Sequence, residues 1–221
     1  MKMETQIKKR HGLDLGGQIW RAYIERFNDP PVHSLITFGS QHMGISKSAD
    51  CEPGDFLCQS VQRIIRFGVY NSWVQNSIVP AQYFRDPLRI GTYLDSSNFL
   101  ADINNERPLS RNQTYANNLA SLEKLVLVLF DEDETVIPKE SSWFGSYTLS
   151  DGSDSQNLTI IPMQQQPLYT EDWIGLKKLD SEGRIKLIAC EGGHLHYSEC
   201  WNTVIKQYSG APKPNDSYES H

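Results

Sequence analysis

The residues able to do chemistry gather in three short segments. Gly12-Leu13-Asp14-Leu15-Gly16-Gly17 has the spacing of a nucleophile elbow, in which small flanking residues permit a strained strand-to-helix turn, here with a carboxylate at the centre. The apolar run 124–130 leads into Asp131-Glu132-Asp133-Glu134, and the run 184–189 leads into Cys190-Glu191-Gly192-Gly193-His194-Leu195-His196. A nucleophile, then a carboxylate past one strand, then a histidine past the next is the chain order of a hydrolase triad, the carboxylate orienting the imidazole and the imidazole acting as base. Each segment also has a plainer reading: Asp14 as a helix N-cap, the acidic run as a solvated loop, the two histidines as surface or core side chains. Spacing alone leaves both readings open.

Open α/β sheets carry their reactive groups on loops just past the C-terminal ends of the strands. The run 124–130 is apolar enough to be buried on both faces, as parallel strands are, and 32–38 and 184–189 are further candidate strands. From 16 to 27, Ile19, Tyr23 and Phe27 recur at i, i+4 with Trp20 and Ile24 beside them, which predicts a helix that buries that face. Residues 5–11, ahead of the elbow, are too polar for a buried central strand. Leu57, Val61, Ile64, Ile65 and Val69 share one helical face, and short apolar clusters continue to 120, so about 55–120 reads as a helical insertion. The last residues, 210–221, are rich in Pro, Ser, Asp and Lys without periodicity and are expected to be disordered. The expectation is α/β architecture in a single domain, 1–209.

At 221 residues, with 38% apolar and 22% charged side chains, the chain can build one sizeable core. Its net charge of −6 and the isolation of Lys8-Lys9-Arg10 as a basic run argue against nucleic acid as a partner. No stretch approaches the roughly 18 apolar residues of a membrane-spanning helix, so no integral membrane association is expected. MKMETQIKKR lacks the apolar core of a signal peptide. Cys51 and Cys58 bracket a loop containing Glu52-Pro53-Gly54, and sequons occur at Asn112, Asn157 and Asn215, which suit a lumenal protein; reduced thiols and chance sequons are the alternative.

Longer motifs carry more. Gly16-Gly17-Gln18, Arg21-Ala22, Gln41-His42-x-Gly44, Phe99-Leu100-Ala101-Asp102-Ile103-Asn104 and Asn105-Glu106 are followed by Asp133-Glu134-Thr135-Val136-Ile137-Pro138 and Trp143-Phe144-Gly145. Leu168-Tyr169-Thr170-Glu171-Asp172-x-Ile174-Gly175-Leu176-Lys177 and Gly193-His194-Leu195 complete the set. Together they resemble the palmitoyl-protein thioesterases over about 12–210.

The resemblance implies a partial α/β-hydrolase fold, a mostly parallel sheet flanked by helices, incomplete at its N-terminus, with the 55–120 insertion as the cap that forms an acyl groove. It implies a lumenal, lysosomal hydrolase acting on S-palmitoylated proteins or other acyl thioesters, with no cofactor and no metal. Carried over by position, the triad acid is Asp133, the base His194 and the nucleophile position Asp14. Leu15 supplies an oxyanion N–H, Cys51 and Cys58 a disulfide, and Asn112 a glycosylation site. Asp131 and His196 are bystanders.

Three departures accompany this. Asp14 replaces the nucleophilic serine; the family's signal peptide, first strands and one oxyanion donor have no counterpart; and Phe27 stands at a cysteine position. A weak or inactive thioesterase is therefore expected. The alternatives are a pseudoenzyme that binds acyl chains or a partner, and a hydrolase of alkyl halides or epoxides with an Asp nucleophile.

Overall fold

A strand made from Lys-Leu-Val-Leu-Val-Leu-Phe has no face that water can cover, so it must lie inside a sheet with packing on both sides. It is the central strand β2 (Lys124–Phe130), buried from Leu125 through Phe130. The computed structural model describes residues 13–46, Gln59, 68–149, 158–196 and 198–209. Cys51, Cys58, the sequons at Asn157 and Asn215, the apolar face formed by Leu57, Val61, Ile64 and Ile65, and the 210–221 tail lie outside the described residues.

β1 (Ser34–Phe38) and β5 (Ile185–Cys190) flank β2 and both run parallel to it, with Leu35 opposite Leu125 and Phe130 opposite Cys190. Alternate residues of β2 feed two cores. Leu125 and Leu127 pack with Ile24, Leu35, Leu119 and Leu179, while Val126, Val128 and Phe130 pack with Phe38, Cys190 and Val204. The first core is closed by α1 (Leu13–Arg26), α5 (Gln113–Leu119) and α7 (Leu176–Ser181), and the second by α8 (Glu199–Tyr208). Each fully buried Leu or Val contributes about 1.5–3 kcal/mol relative to exposure, so β2 is the energetic centre. A mostly parallel sheet with helices over both faces is the α/β arrangement of the hydrolase fold.

The described chain between β1 and β2 carries short helices joined by turns: α2 (Ser72–Ser77), a 3-10 turn at Val79–Tyr83, α3 (Ile90–Ser96), α4 (Leu100–Ile103) and α5. Asn71 and Asn112 cap α2 and α5, each side chain accepting from the backbone N–H two residues on. After β2 an antiparallel pair, β3 (Ser146–Leu149) with β4 (Leu158–Ile161), and the short α6 (Pro167–Thr170) lead to α7.

α1 corrects one expectation. Ile19 and Phe27 are 63% and 68% exposed and Trp20 is 47% exposed, whereas Gln18, Arg21, Ala22, Ile24 and Glu25 are buried. The cause is a close approach at Gly17, where an added Cβ would lie 2.0 Å from Ser40 Oγ and 3.0 Å from Thr37 Cγ2. Only glycine lets the helix touch the end of β1 there, and that contact turns positions 17, 21 and 24 inward. Two of the polar residues carried inside find carbonyl partners: Gln18 Nε2 donates to the Gln41 carbonyl, and Arg21 Nη2 to the His42 carbonyl at 3.3 Å.

Several motif residues hold the frame. Asn105, at φ 53, donates from Nδ2 to the carbonyls of Asn112 (2.9 Å) and Trp173 (2.8 Å) and accepts from Asn112 N–H at 2.8 Å. Gly175 has φ +84, and a Cβ there would meet Ala116 O at 2.4 Å; Gly183 has φ +68 with nothing within 4 Å. Gly183→Ala is therefore expected to cost only the left-handed backbone penalty of about 1–2 kcal/mol, and Gly175→Ala a further ~1–3 kcal/mol of overpacking. Urea unfolding midpoints measure both, and equal losses would contradict the packing argument.

Candidate functional site

Two strand ends converge. Past β2 the chain turns so that Asp133 is 7% exposed, its Oδ1 accepting from the N–H groups of Thr135 and Val136, both at 2.9 Å. Its Oδ2 faces His194 Nδ1 at 2.7 Å. These bonds use both carboxylate oxygens and aim one at the imidazole, which sits on the loop after β5, the neighbouring strand. With Nδ1 donating to Asp133, the acceptor lone pair of the neutral ring falls on Nε2, the tautomer a general base requires.

The imidazole has a built seat. Gly39, at the C-terminal end of β1 with φ +59, would place a Cβ 3.1 Å from His194 Cε1, and Phe130 meets the ring edge-on at a centroid distance of 6.4 Å. Asp131 Oδ1 accepts from Gly192 N–H at 2.9 Å and so ties the acid loop to the histidine loop. Asp131 is thus a loop tie, not a member of the pair. His196 packs on Gly192, where a Cβ would meet its ring at 2.9 Å.

Asp14 and Leu15 lie in the first turn of α1; their side chains fall outside what the structure describes. Gly17 packs against Ser40 and Gly39 against His194, so the start of α1 and the imidazole flank the same end of β1. Behind this edge lies a buried polar layer. Arg21 Nη1 is 3.5 Å from Glu25 Oε1, with both side chains at 0% exposure, and its guanidinium lies 5.2 Å from the Phe144 ring centroid. The same ring stacks on His42 at 4.6 Å, and His42 Nε2 is 3.0 Å from Thr37 Oγ1. Burial, followed by the field of Arg21, pushes the His42 pKa well down, so the ring is neutral. Burial pushes Glu25 up to about 8 against the pull of Arg21.

Among the described residues no group of three or more His, Cys, Asp and Glu is placed to hold a metal, and no helix is long and apolar enough to cross a membrane. The described disulfide joins Cys190 to Cys200; the proposed Cys51–Cys58 pair lies outside the described residues. Sequence reasoning assigned no role to Cys190 and Cys200, and it passed over Arg21 and Glu25 as a pair. The i, i+4 spacing of opposite charges next to Gln18 was the available signal.

A parallel sheet with a carboxylate and an imidazole hydrogen-bonded across the C-terminal ends of adjacent strands is the framework of an α/β-hydrolase. The model of the family described as palmitoyl protein thioesterase matches residues 8–194. Over 213 residues the chain is 43% identical to palmitoyl-protein thioesterase 1 of Caenorhabditis elegans, a match covering 94% of this chain and 69% of that protein. It is 37% identical to palmitoyl-protein thioesterase 3 of Dictyostelium discoideum, over 79% of this chain and 56% of that protein. It is also 31% identical to the lysosomal thioesterase PPT2 of Rattus norvegicus, over 90% of this chain and 62% of that protein. The chain belongs to the palmitoyl protein thioesterase family.

Proposed function

We propose that this chain is built to act on fatty-acyl thioesters of S-acylated proteins, with His194 as general base, Asp133 as its orienting acid, Asp14 at the nucleophile position and Leu15 N–H as an oxyanion donor. The observation that carries this reading is the 2.7 Å contact between Asp133 and His194 at adjacent strand ends. A thioester needs little more than a positioned nucleophile, a base and an oxyanion site, which explains why neither metal nor cofactor enters the scheme. Asp14 favours a second reading, in which the chain binds acyl thioesters with little or no turnover.

The test is calorimetric titration with an S-hexadecyl cysteine peptide, a non-hydrolysable mimic, alongside hydrolysis of the matching palmitoyl thioester. Saturable binding that an S-methyl peptide does not displace supports acyl recognition, and failure to bind overturns both readings. Binding without turnover selects the second.

We place the protein in the lysosome or secretory pathway. Support comes from the lysosomal thioesterase relatives, from the Cys190–Cys200 disulfide, which suits an oxidising compartment, and from the exposed Asn112-Gln113-Thr114 sequon at the start of α5. Secreted from cells behind a leader, the protein should carry a glycan at Asn112. A glycosidase mobility shift that Asn112→Gln removes would establish it.

A further inference from the structure

The loop that carries His194 is anchored unevenly. On the entry side the β2–β5 ladder runs on: Asp131 N–H donates to the Cys190 carbonyl at 3.0 Å, Glu132 N–H to the Gly192 carbonyl at 3.1 Å, and Gly192 N–H to the Asp131 carboxylate at 2.9 Å. On the exit side the chain folds back on itself. His196 N–H donates to the Gly193 carbonyl at 3.0 Å, and Leu195 takes φ +55, a conformation that persists only where the surroundings hold it. Among the described residues from 195 to 200, no backbone group hydrogen-bonds to the sheet. Two adjacent glycines, Gly192 and Gly193, leave the backbone before His194 with wide freedom.

Leu195 and Val204 pack against the sheet core, and the one covalent tie that returns the chain to the sheet among the described residues is the bond between Cys190, the last residue of β5, and Cys200, in the first turn of α8, with Cα atoms 5.7 Å apart. Cys190 is 1% exposed and packs among Phe130, Val126 and Val204, so that end is immobile. α8 adds Trp201, whose ring lies 3.8 Å from that of Phe38. The bridge therefore sits under the one loop whose side chain must keep a 2.7 Å contact with Asp133.

We infer that the Cys190–Cys200 disulfide is a positioning element for His194: it fixes where the loop returns, and so keeps the imidazole between Gly39 and Phe130 with Nδ1 on Asp133. This rests on the reading of His194 as base, but its test uses no turnover. Closing a loop of this length restricts the open chain by about a hundredfold in population. Without the bridge, the strained turn at Leu195 relaxes and the imidazole samples positions off the carboxylate. The sheet, rooted in β2, remains.

The experiment is proton NMR of the purified chain, following the low-field imidazole N–H signal of a histidine bonded to a buried carboxylate. Asp133→Asn assigns the signal by abolishing it. In Cys190→Ala/Cys200→Ala, with circular dichroism confirming the fold, the signal is expected to broaden or vanish and its solvent exchange to accelerate about a hundredfold. Cys190→Val/Cys200→Ala keeps more of the buried volume and serves the same purpose if the alanine pair does not fold. Gly183→Ala, which destabilises elsewhere, should leave the signal unchanged, separating positioning from general loss of stability. An unaltered signal and exchange rate in a folded, bridge-free variant overturns the proposal. Absence of the signal from the parent chain overturns the Asp133–His194 pairing, and this inference with it.

Discussion

Joined to the part of the nematode relative that lies outside the match, the form carrying Asp14 is expected to hydrolyse palmitoyl thioesters on the order of 10⁶-fold more slowly than the same fusion with Asp14→Ser, the scale of losing a hydrolase nucleophile. A serine hydroxyl attacks the thioester carbonyl as the imidazole takes its proton, expels the thiolate and leaves an oxygen ester that water can cleave. A carboxylate that attacks and expels the thiolate leaves an acid anhydride, more reactive than the thioester it came from, so the step runs uphill. It also presents negative charge where the tetrahedral oxyanion forms. Two unit charges 4 Å apart repel by about 4 kcal/mol at an effective dielectric of 20, which alone amounts to nearly a thousandfold in rate. The comparison is best made with both forms fused to the part of the nematode relative that lies outside the match, so that one side chain is the only difference. Release of a fluorogenic thiol from a palmitoyl thioester reports the rate. Comparable turnover by the two forms would show that the chemistry runs through another residue.

Much of the frame was legible in the sequence because one strand is chemically uniform. Six consecutive buried apolar residues in β2 admit no edge position, and the acidic run and the histidine run that follow β2 and β5 then fall at the same end of a parallel sheet. The 2.7 Å contact between Asp133 and His194 is the geometric outcome of that topology. β1 begins at Ser34 and not at 32: Val32 N–H turns to the Asn28 side chain at 2.9 Å, and the contact with β2 starts only at His33, whose carbonyl accepts from Glu123 N–H at 2.7 Å.

The inward face of α1 was not legible. Periodicity sees which residues are apolar, but the contact at Gly17 decides which residues turn toward the sheet, and that depends on Ser40, far along the chain. The bridge was hidden for another reason. Four cysteines allow three pairings, and nothing in their spacing marks Cys190 and Cys200 as lying either side of a loop that returns to its own strand.

The buried pair on α1 predicts an unusual pH dependence of stability. Glu25 is fully buried, with no hydrogen-bond partner for either oxygen among the described residues and Arg21 3.5 Å away, and burial outweighs the pull of Arg21 and Arg26 to raise its pKa from 4.5 to about 8; Asp102 adds to the rise. Between pH 4.5 and 8 the folded protein therefore holds a proton that the unfolded chain has released. The resulting stability is fully present below the unfolded pKa and is lost as pH rises through the folded one. The size follows from the shift, on the order of 5 kcal/mol across that window. His42 acts in the opposite sense: held neutral by burial, it contributes stability above its unfolded pKa of 6.5 that is lost as pH falls. The parent curve mixes the two, so the informative quantity is the difference between parent and Glu25→Gln, in which the His42 contribution cancels. Glutamine keeps the volume and cannot titrate. The difference in unfolding free energy, from urea titrations followed by tryptophan fluorescence at pH 5, 6.5 and 8.5, should move steadily in favour of Glu25→Gln as pH rises. A difference that stays flat with pH would mean that Arg21 holds Glu25 ionised throughout, and that the two form an ordinary ion pair.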